Sequence, residues 1–374
     1  MWPTGGSGPP RRALLALCVA VPLGLWFAEV QPRLEDHVYT GADGLPLHLP
    51  EWLRGDCPFY RATAQSLLAH RSLDLRGSPL WSVLRPESQV AVARDGRWVP
   101  KHPLLLPVVA LPFYAALGDD GLLVFNLLQV VGLDALLLLL ARRATSEPIA
   151  LAIALWFAFG SLLRPAAFNF SPDVLSTLVA LGGVLLLLSA RSGWAGALLG
   201  LSVWAKWTNL FLLPPAALYA LLALSPRAAL RFTLAALPPL ALLGALDFHL
   251  FGSPLVTPYD RVLAFGGGLE PSHRARFDQP FWSTLWRQLA DPRLGLLRSA
   301  PQALLAVPGW WFLFRRARAE ALLVASLCAV QLATFASYRD WQASDFGHRF
   351  LLTVVALSAL PLAALAQAAL APRE

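Results

Sequence analysis

Asp56 and Asp173 are two carboxylates, and Lys206 and Arg349 two cations, placed at the margins of long apolar runs, where their charges meet lipid headgroups rather than bulk water. A carboxylate in that position can accept a proton from a hydroxyl, and a cation can neutralise a lipid phosphate, so the four types suit transfer chemistry on a membrane-borne substrate. Each also has a plainer reading. Asp56, within Gly55-Asp56-Cys57-Pro58-Phe59-Tyr60, precedes a proline and a helical pattern and suits an N-cap. Asp173, after Pro172, suits a first helical turn at the positive end of the helix dipole. Lys206, between Trp204 and Trp207, can snorkel to the headgroups, and Arg349 can pair with Asp345 or Asp340. Lysine usage favours function for Lys206. Of 30 basic residues only Lys101 and Lys206 are lysines, so these two positions read as requiring an ammonium. An intramembrane charge is costly enough to be a functional hypothesis in itself.

The elements that must position these groups are membrane helices. The chain has 374 residues, 56% hydrophobic and 14% charged, well above the apolar share of about 45–50% in soluble domains. Apolar runs fall at 13–30, 103–118, 121–141, 148–164, 172–190, 194–210, 211–224, 232–251, 301–314, 320–337 and 349–370. Unpaired backbone groups are not tolerated in lipid and the runs lack strand alternation, so an all-α, polytopic integral membrane bundle of about 10–11 spans is expected. The segment at 13–30 follows Arg11-Arg12 like a signal peptide but lacks a small-x-small cleavage site, and reads as a retained first helix. The run at 103–118, broken by Pro107 and Pro112, is one more than the charge topology needs, and is expected to be juxtamembrane or re-entrant. Residues 1–374 read as one domain, with no repeat.

The formal charge of +7 does not point to nucleic acid, because the basic residues sit at span ends: Arg11-Arg12, Arg142-Arg143, Arg191, Arg227, Arg231, Arg315-Arg316 and Arg318. By the positive-inside rule these ends are cytoplasmic. Segments 31–100, 165–171, 252–300 and 338–348 then share the outer face with the four charged candidates. The loop at 31–100 is large enough to have structure of its own. Phe59 to Leu68 reads as an interfacial amphipathic helix with Leu67 and Leu68 on its greasy side. In 252–300, Gly266-Gly267-Gly268 reads as a hinge, Glu270, His273, Arg274 and Asp278 as a solvated polar surface, and Phe281-Trp282 with Trp286 as an interfacial helix. Asn169 and Arg164 are hydrogen-bonding candidates beside Asp173. His348 is a hydrogen-bonding neighbour of Arg349, and Tyr338 and Trp341 are either sugar-stacking rings or membrane-belt anchors. Cys18 and Cys328 lie in apolar runs, and Cys57 reads as an incidental surface thiol. No cysteine framework, HExxH, hydrolase elbow or P-loop is present, which argues against a protease or an ATPase.

The Gly55-to-Tyr60 segment, followed by Ala64-Gln65-Ser66-Leu67-Leu68 and Leu73-Asp74-Leu75, resembles the Gly-Asp-Glu-Pro-x-Tyr first loop of bacterial GT-C glycosyltransferases, polytopic enzymes similar to lipid A aminoarabinose transferases and protein mannosyltransferases. The resemblance continues in order through His102-Pro103-Leu104-Leu105, Ser171-Pro172-Asp173, Gly200 to Lys206, Phe251-Gly252-Ser253-Pro254 with Tyr259, Ser299-Ala300-Pro301, and Phe346-Gly347-His348-Arg349-Phe350. It implies transfer of a sugar from a polyprenyl-phosphate donor to a lipid, glycan or protein acceptor, by a multi-pass enzyme of the bacterial inner membrane whose site faces the periplasm or outside. It further implies Asp56 and Asp173 as catalytic carboxylates, Lys206, Arg349 and His348 as donor-phosphate contacts, and Tyr60, His102, Tyr259 and Trp341 as substrate contacts. Cys57 stands where the family often has a second acid, so no metal and no other cofactor is expected, although a divalent ion remains compatible with the carboxylates. The competing readings are a transporter or lipid flippase using the same charges, disfavoured by the lack of an inverted repeat, and a catalytically silent protein of the same fold.

Overall fold

The computed structural model describes residues 11–30, 36–40, 46–50, 55–82, 84–342 and 348–370, and every statement below concerns these. All eleven expected apolar runs are helical, because a helix is the one way such a run can pair its own backbone in hydrocarbon. Five helices are long and apolar enough to cross a membrane: Asp119–Ala141, Trp207–Leu224, Pro226–Phe251, Arg318–Ala336 and Arg349–Leu370. Shorter apolar helices accompany them.

The chain begins with α1 (Arg11–Val30), followed by a hairpin of β1 (Asp36–Thr40) and β2 (Pro46–Pro50) and by α2 (Cys57–His70). Helix α1 packs into the bundle: Trp26 is fully buried and Cys18 donates to Asp134 Oδ2 at 3.1 Å. Phe59, Ala62, Thr63 and Ser66 of α2 face the protein, while Leu68 is exposed, as a residue on the lipid side of an interfacial helix would be.

A second small hairpin, β3 (Val90–Val92) with β4 (Trp98–Pro100), leads to α3 (Leu105–Leu117) and α4 (Asp119–Ala141). Thirteen residues rise about 20 Å, short of a hydrocarbon core of about 30 Å, so α3 does not cross alone. Both of its ends lie on the side of α2: His102 just ahead of it approaches Asp56, and Asp119 just after it pairs with Arg61 at 2.6 Å. Gly118, at φ +62°, makes the reversal between α3 and α4.

Then follow α5 (Glu147–Gly160), the single turn α6 (Leu163–Ala166), α7 (Pro172–Leu188) and α8 (Ser192–Ala205). The expected boundary at residue 210 falls instead at Lys206, whose extended backbone (φ −157°, ψ 113°) ends α8. A 3₁₀ turn (Trp207–Leu212), α9 (Leu213–Tyr219) and a π turn (Ala220–Leu224) continue the chain to α10 (Pro226–Phe251). Small residues let α8 and α10 touch backbone to backbone: a Cβ on Gly196 would lie 2.0 Å from the Phe232 carbonyl oxygen.

The amphipathic α11 (Phe281–Ala290) keeps Trp282 and Trp286 exposed, as an interfacial helix should. A turn, α12 (Leu296–Ser299), precedes α13 (Pro301–Arg316) and α14 (Arg318–Ala336), and the last span runs through a 3₁₀ turn (Arg349–Leu351), α15 (Leu352–Leu357) and α16 (Ala359–Leu370). This last span is the most deeply packed of the five.

The charge topology has a structural counterpart. Arg143 reaches the Leu188 carbonyl at the end of α7 (2.9 Å) and Glu320 at the start of α14 (2.9 Å), so three helix ends assigned to the cytoplasmic side converge. Asp173, at the other end of α7, belongs to the opposite cluster.

At the end of the bundle that carries Asp173, segments 84–100 and 252–300 are sewn together. Val92 N donates to Arg261 O at 2.8 Å and Leu263 N to Val90 O at 2.9 Å. The three glycines are a turn rather than a hinge: Gly266, Gly267 and Gly268 take φ of +80°, +93° and +80° and reverse the chain between the bridged Leu263 and Leu269. The polar residues around them are likewise ordered. Ser88 bonds Glu270, Glu270 pairs with Arg276 at 3.0 Å, Arg276 pairs with Asp340 at 2.6 Å, and Asp278 pairs with Arg339. Arg274 and Asp278 remain exposed, as a solvated surface would be, while the part-buried Glu270 belongs to this network, which fastens 338–342 to the earlier loops.

Candidate active site

Gly55, at φ +60°, turns the chain into α2, and Asp56 follows with helical angles (φ −83°, ψ −9°). Those angles carry its side chain away from the free N–H groups of the first turn, so it makes no cap; only its backbone oxygen does, accepting from Phe59 N at 3.1 Å. The carboxylate is thereby available to the bundle. Its Oδ2 accepts from Arg349 Nη2 at 2.9 Å, and its Oδ1 lies 3.8 Å from His102 Nε2.

Arg349 does not pair with Asp340, which is held by Arg276; Asp345, the other partner considered, lies outside the described residues. Instead Arg349 stands between two carboxylates, with Nε 3.7 Å from Asp173 Oδ2. Lys206 completes the row: its Nζ lies 2.7 Å from Asp173 Oδ1 and 3.4 Å from the Phe350 carbonyl. The ammonium also sits 5.0 Å from the Phe335 ring centre and 4.9 Å from that of Phe350. Lys206 is therefore an inward-facing member of a charge cluster and not a snorkelling residue, and the extended backbone at 206 turns it there. The order His102, Asp56, Arg349, Asp173, Lys206 alternates acid and base, which offsets the cost of keeping four charges out of bulk water.

The electrostatics of the outer members follow. Burial pushes the Asp56 carboxyl up, but the fields of His102, Arg349 and Lys101, with the Arg349 hydrogen bond, outweigh it and hold Asp56 well below the ordinary carboxylate range. Burial pushes His102 down to about 3, against the attraction of Asp56, so the imidazole is neutral near pH 7. Cys57 is no surface thiol: it is fully buried, and burial raises it to about 12.

Tyr60 is buried with its ring 5.1 Å from that of His102. Tyr259 approaches His102 from the other side at 6.4 Å and stacks toward His273 at 4.8 Å. Trp341 departs from both of its readings: it is 2% exposed, neither a belt anchor nor an open platform, packed against His348 at 5.2 Å and beneath the Arg287 guanidinium at 5.6 Å. His348 is fully buried with neither ring nitrogen hydrogen-bonded among the described residues, so no hydrogen bond ties its side chain to the row. Asn169 Oδ1 is buried without a partner, and Arg164 pairs away from the site with Glu29 at 2.7 Å. Lys101 was not among the site candidates, yet its ammonium is buried beside the site, bonded to Ser88 O and to Gln89 Oε1 at 3.2 Å. The rarity of lysine was the signal that marked it. Among the described residues no group of three His, Cys, Asp or Glu gathers as metal ligands.

The sequence matches no protein-family model and no curated relative. Solved structures do match. ArnT from Cupriavidus metallidurans bound to undecaprenyl phosphate superposes with a TM-score of 0.61 at 14% identity, over 96% of this chain and 61% of that one. ArnT in the apo state gives 0.58 at 13%, over 95% and 60%. The oligosaccharyltransferase of Archaeoglobus fulgidus in the apo form gives 0.50 at 11%, over 94% and 50%. The chain thus spans about three-fifths of the length of ArnT. These likenesses show the fold, that of the GT-C membrane proteins.

Proposed function

We propose that this chain of GT-C fold is a membrane glycosyltransferase that moves a sugar from a polyprenyl-phosphate-linked donor to a lipid, glycan or protein acceptor at the outer face of the membrane. The observation that carries the reading is the row Asp56, Arg349, Asp173, Lys206, which joins a carboxylate to two cations at the end of the bundle opposite the cytoplasmic arginines. The fold shared with a protein crystallised with undecaprenyl phosphate supports the donor class.

In the reaction, the acceptor oxygen bonds to the anomeric carbon as the bond from that carbon to the phosphate oxygen breaks. Polyprenyl phosphate leaves with the electron pair, and the acceptor proton passes to Asp56. Arg349 and Lys206 lower the barrier by stabilising the charge that grows on the departing phosphate. At rest Asp56 is too acidic to be an effective base, because the fields of His102, Arg349 and Lys101, with the Arg349 hydrogen bond, hold it ionised. A phosphate that takes over the Arg349 hydrogen bond removes one part of that restraint, so donor binding raises the basicity of Asp56 when a base is required. Arg suits this exchange, since its planar fork serves two oxygens at once.

Asp56→Asn tests the reading. In nanodiscs the variant should elute like wild type and still bind undecaprenyl phosphate, while glycosylated products vanish from the cell-envelope lipid and glycan extract analysed by mass spectrometry. Undiminished products would overturn the mechanism, as would retained lipid translocation by a wild-type protein that forms no glycosyl product.

A further inference from the structure

The row of charges rests on a second tier one helical turn beneath it. Ser176 and Thr177 follow Asp173 by three and four residues on α7, so they share its face. Asn209 follows Lys206 by three residues in a 3₁₀ turn, where side chains three apart eclipse, and Thr353 follows Arg349 by four. Under the Lys206–Asp173 contact, Asn209 Nδ2 donates to Ser176 Oγ at 2.8 Å. Beneath the Arg349–Asp173 contact, the Thr177 and Thr353 hydroxyls meet at 3.0 Å. Each charged contact is thus repeated as an uncharged hydrogen bond between the same two stretches of chain, and all four side chains of this tier are buried.

Asn209 does more than mirror the contact above it. Lys206 breaks the helix with an extended backbone, so regular helix geometry does not set where its side chain points. Asn209 spans the break. Its backbone N–H donates to the Lys206 carbonyl at 2.9 Å, and its Nδ2 to the Ser202 carbonyl at 3.3 Å, which also accepts from Lys206 N at 3.0 Å. Its Oδ1 accepts from Gln331 Nε2 at 3.4 Å, so α14 holds the same amide. Hydrogen bonds between membrane helices add little net stability, and an apolar residue would fill these sites with no polar group to satisfy. What a polar tie adds is a fixed distance and register.

We propose that Asn209 and Thr353 are positioning residues for the donor phosphate: they clamp the Lys206 turn and the final span to α7, and so set the spacing at which Lys206 and Arg349 hold one phosphate together. The use of that spacing rests on the glycosyl-transfer reading above; the clamp itself does not. Errors of placement in such a pair weaken binding and slow transfer before they unfold the protein.

Lys206 reports on the clamp directly, because Lys101 is the chain's only other lysine. An amine must be unprotonated and accessible to be acetylated, and the 2.7 Å contact with Asp173 opposes both. The full-length protein in nanodiscs, pulsed with trace acetic anhydride and mapped by peptide mass spectrometry, gives the ratio of Lys206 to Lys101 acetylation. That ratio should rise about five-fold in Asn209→Leu, and by a smaller factor in Ser176→Ala, which removes one acceptor of the Asn209 amide. Titration of the same nanodiscs with undecaprenyl phosphate should show affinity about ten-fold weaker in Thr353→Val, which keeps the volume and loses the hydroxyl. Thr353→Ser, which restores the hydroxyl, should stay within about two-fold of wild type. Ties that only stabilise the bundle would lower the melting temperature while the ratio and the affinity of the folded protein stay at wild type, and that result overturns the proposal. So does an affinity lost equally in Thr353→Val and Thr353→Ser. A wild type that binds no undecaprenyl phosphate would overturn the donor reading and with it the use of the spacing, while the acetylation ratio still decides whether the clamp exists.

Discussion

At the scale of single residues, Asp56 shows how one backbone setting decides whether a carboxylate caps its helix or faces the bundle. An aspartate before a proline-initiated helix caps it when its own backbone is extended; here the backbone is helical and the carboxylate goes to Arg349 and His102. Arg349 bridges two acids, and Lys in its place reaches one at a time. Arg349→Lys should therefore cut transfer by about 10²- to 10³-fold while leaving the protein monodisperse, measured as product per enzyme under saturating donor. His102 supplies a pH signature. Its folded pKa of about 3 lies below the unfolded 6.5, so between these values the unfolded chain binds the extra proton, and stability falls as the pH drops through that window. Thermal melts of wild type should fall between pH 6.5 and 4, and His102→Gln should flatten that dependence. A melt equally steep in the variant would assign the acid sensitivity elsewhere. The sequence made Asp56, Asp173, Lys206 and Arg349 legible as charges that a lipid-facing chain would not keep idly. It could not show that Asp56 and Arg349 touch, since 293 residues separate them and no local pattern encodes so distant a pair. The burial of Trp341 was hidden for the same reason, as its covering residue Arg287 belongs to another loop.

At the scale of elements, helix positions were legible because apolar runs of this length have one backbone solution in lipid. Which neighbour covers each helix was not. The protein-facing side of α2 was not specified by its sequence, and the break at Lys206 was missed because nothing around Trp204 to Asn209 forbids a helix. Close helix pairs give the sharpest test of the packing. Gly196→Ala puts a Cβ 2.0 Å from the Phe232 carbonyl oxygen and must push α8 from α10, which should cost about 1–3 kcal/mol, read as a lowered melting temperature in detergent. Gly193→Ala, on the same helix with nothing within 4 Å of the new carbon, should leave the melt unchanged or raise it slightly. Equal behaviour of the two would contradict the α8–α10 contact.

For the whole molecule, the separation of charge into two ends predicts a topology. Cys18, Cys57 and Cys328 are all buried, so the native background toward a thiol reagent is low. Ala275→Cys, on an exposed outer loop, should react with a membrane-impermeant maleimide in spheroplasts, and Ala319→Cys, exposed beside the inner arginines, only in inverted vesicles. The reverse pattern would place the charged row on the cytoplasmic side. Composition alone foretold the polytopic bundle. It did not foretell the ion pairs that fasten 252–300 to its neighbours, since Arg276 and Asp340 acquire their meaning only when the chain has folded.

The row of alternating charges also carries a timetable. Asp173 and Lys206 are 33 residues apart and can meet while the chain is still being made, but Asp56 waits 293 residues for Arg349, which stands at the head of the final span. The clasp on Asp56 thus closes only after the chain has been made as far as Arg349, long after the Asp173–Lys206 pair can form.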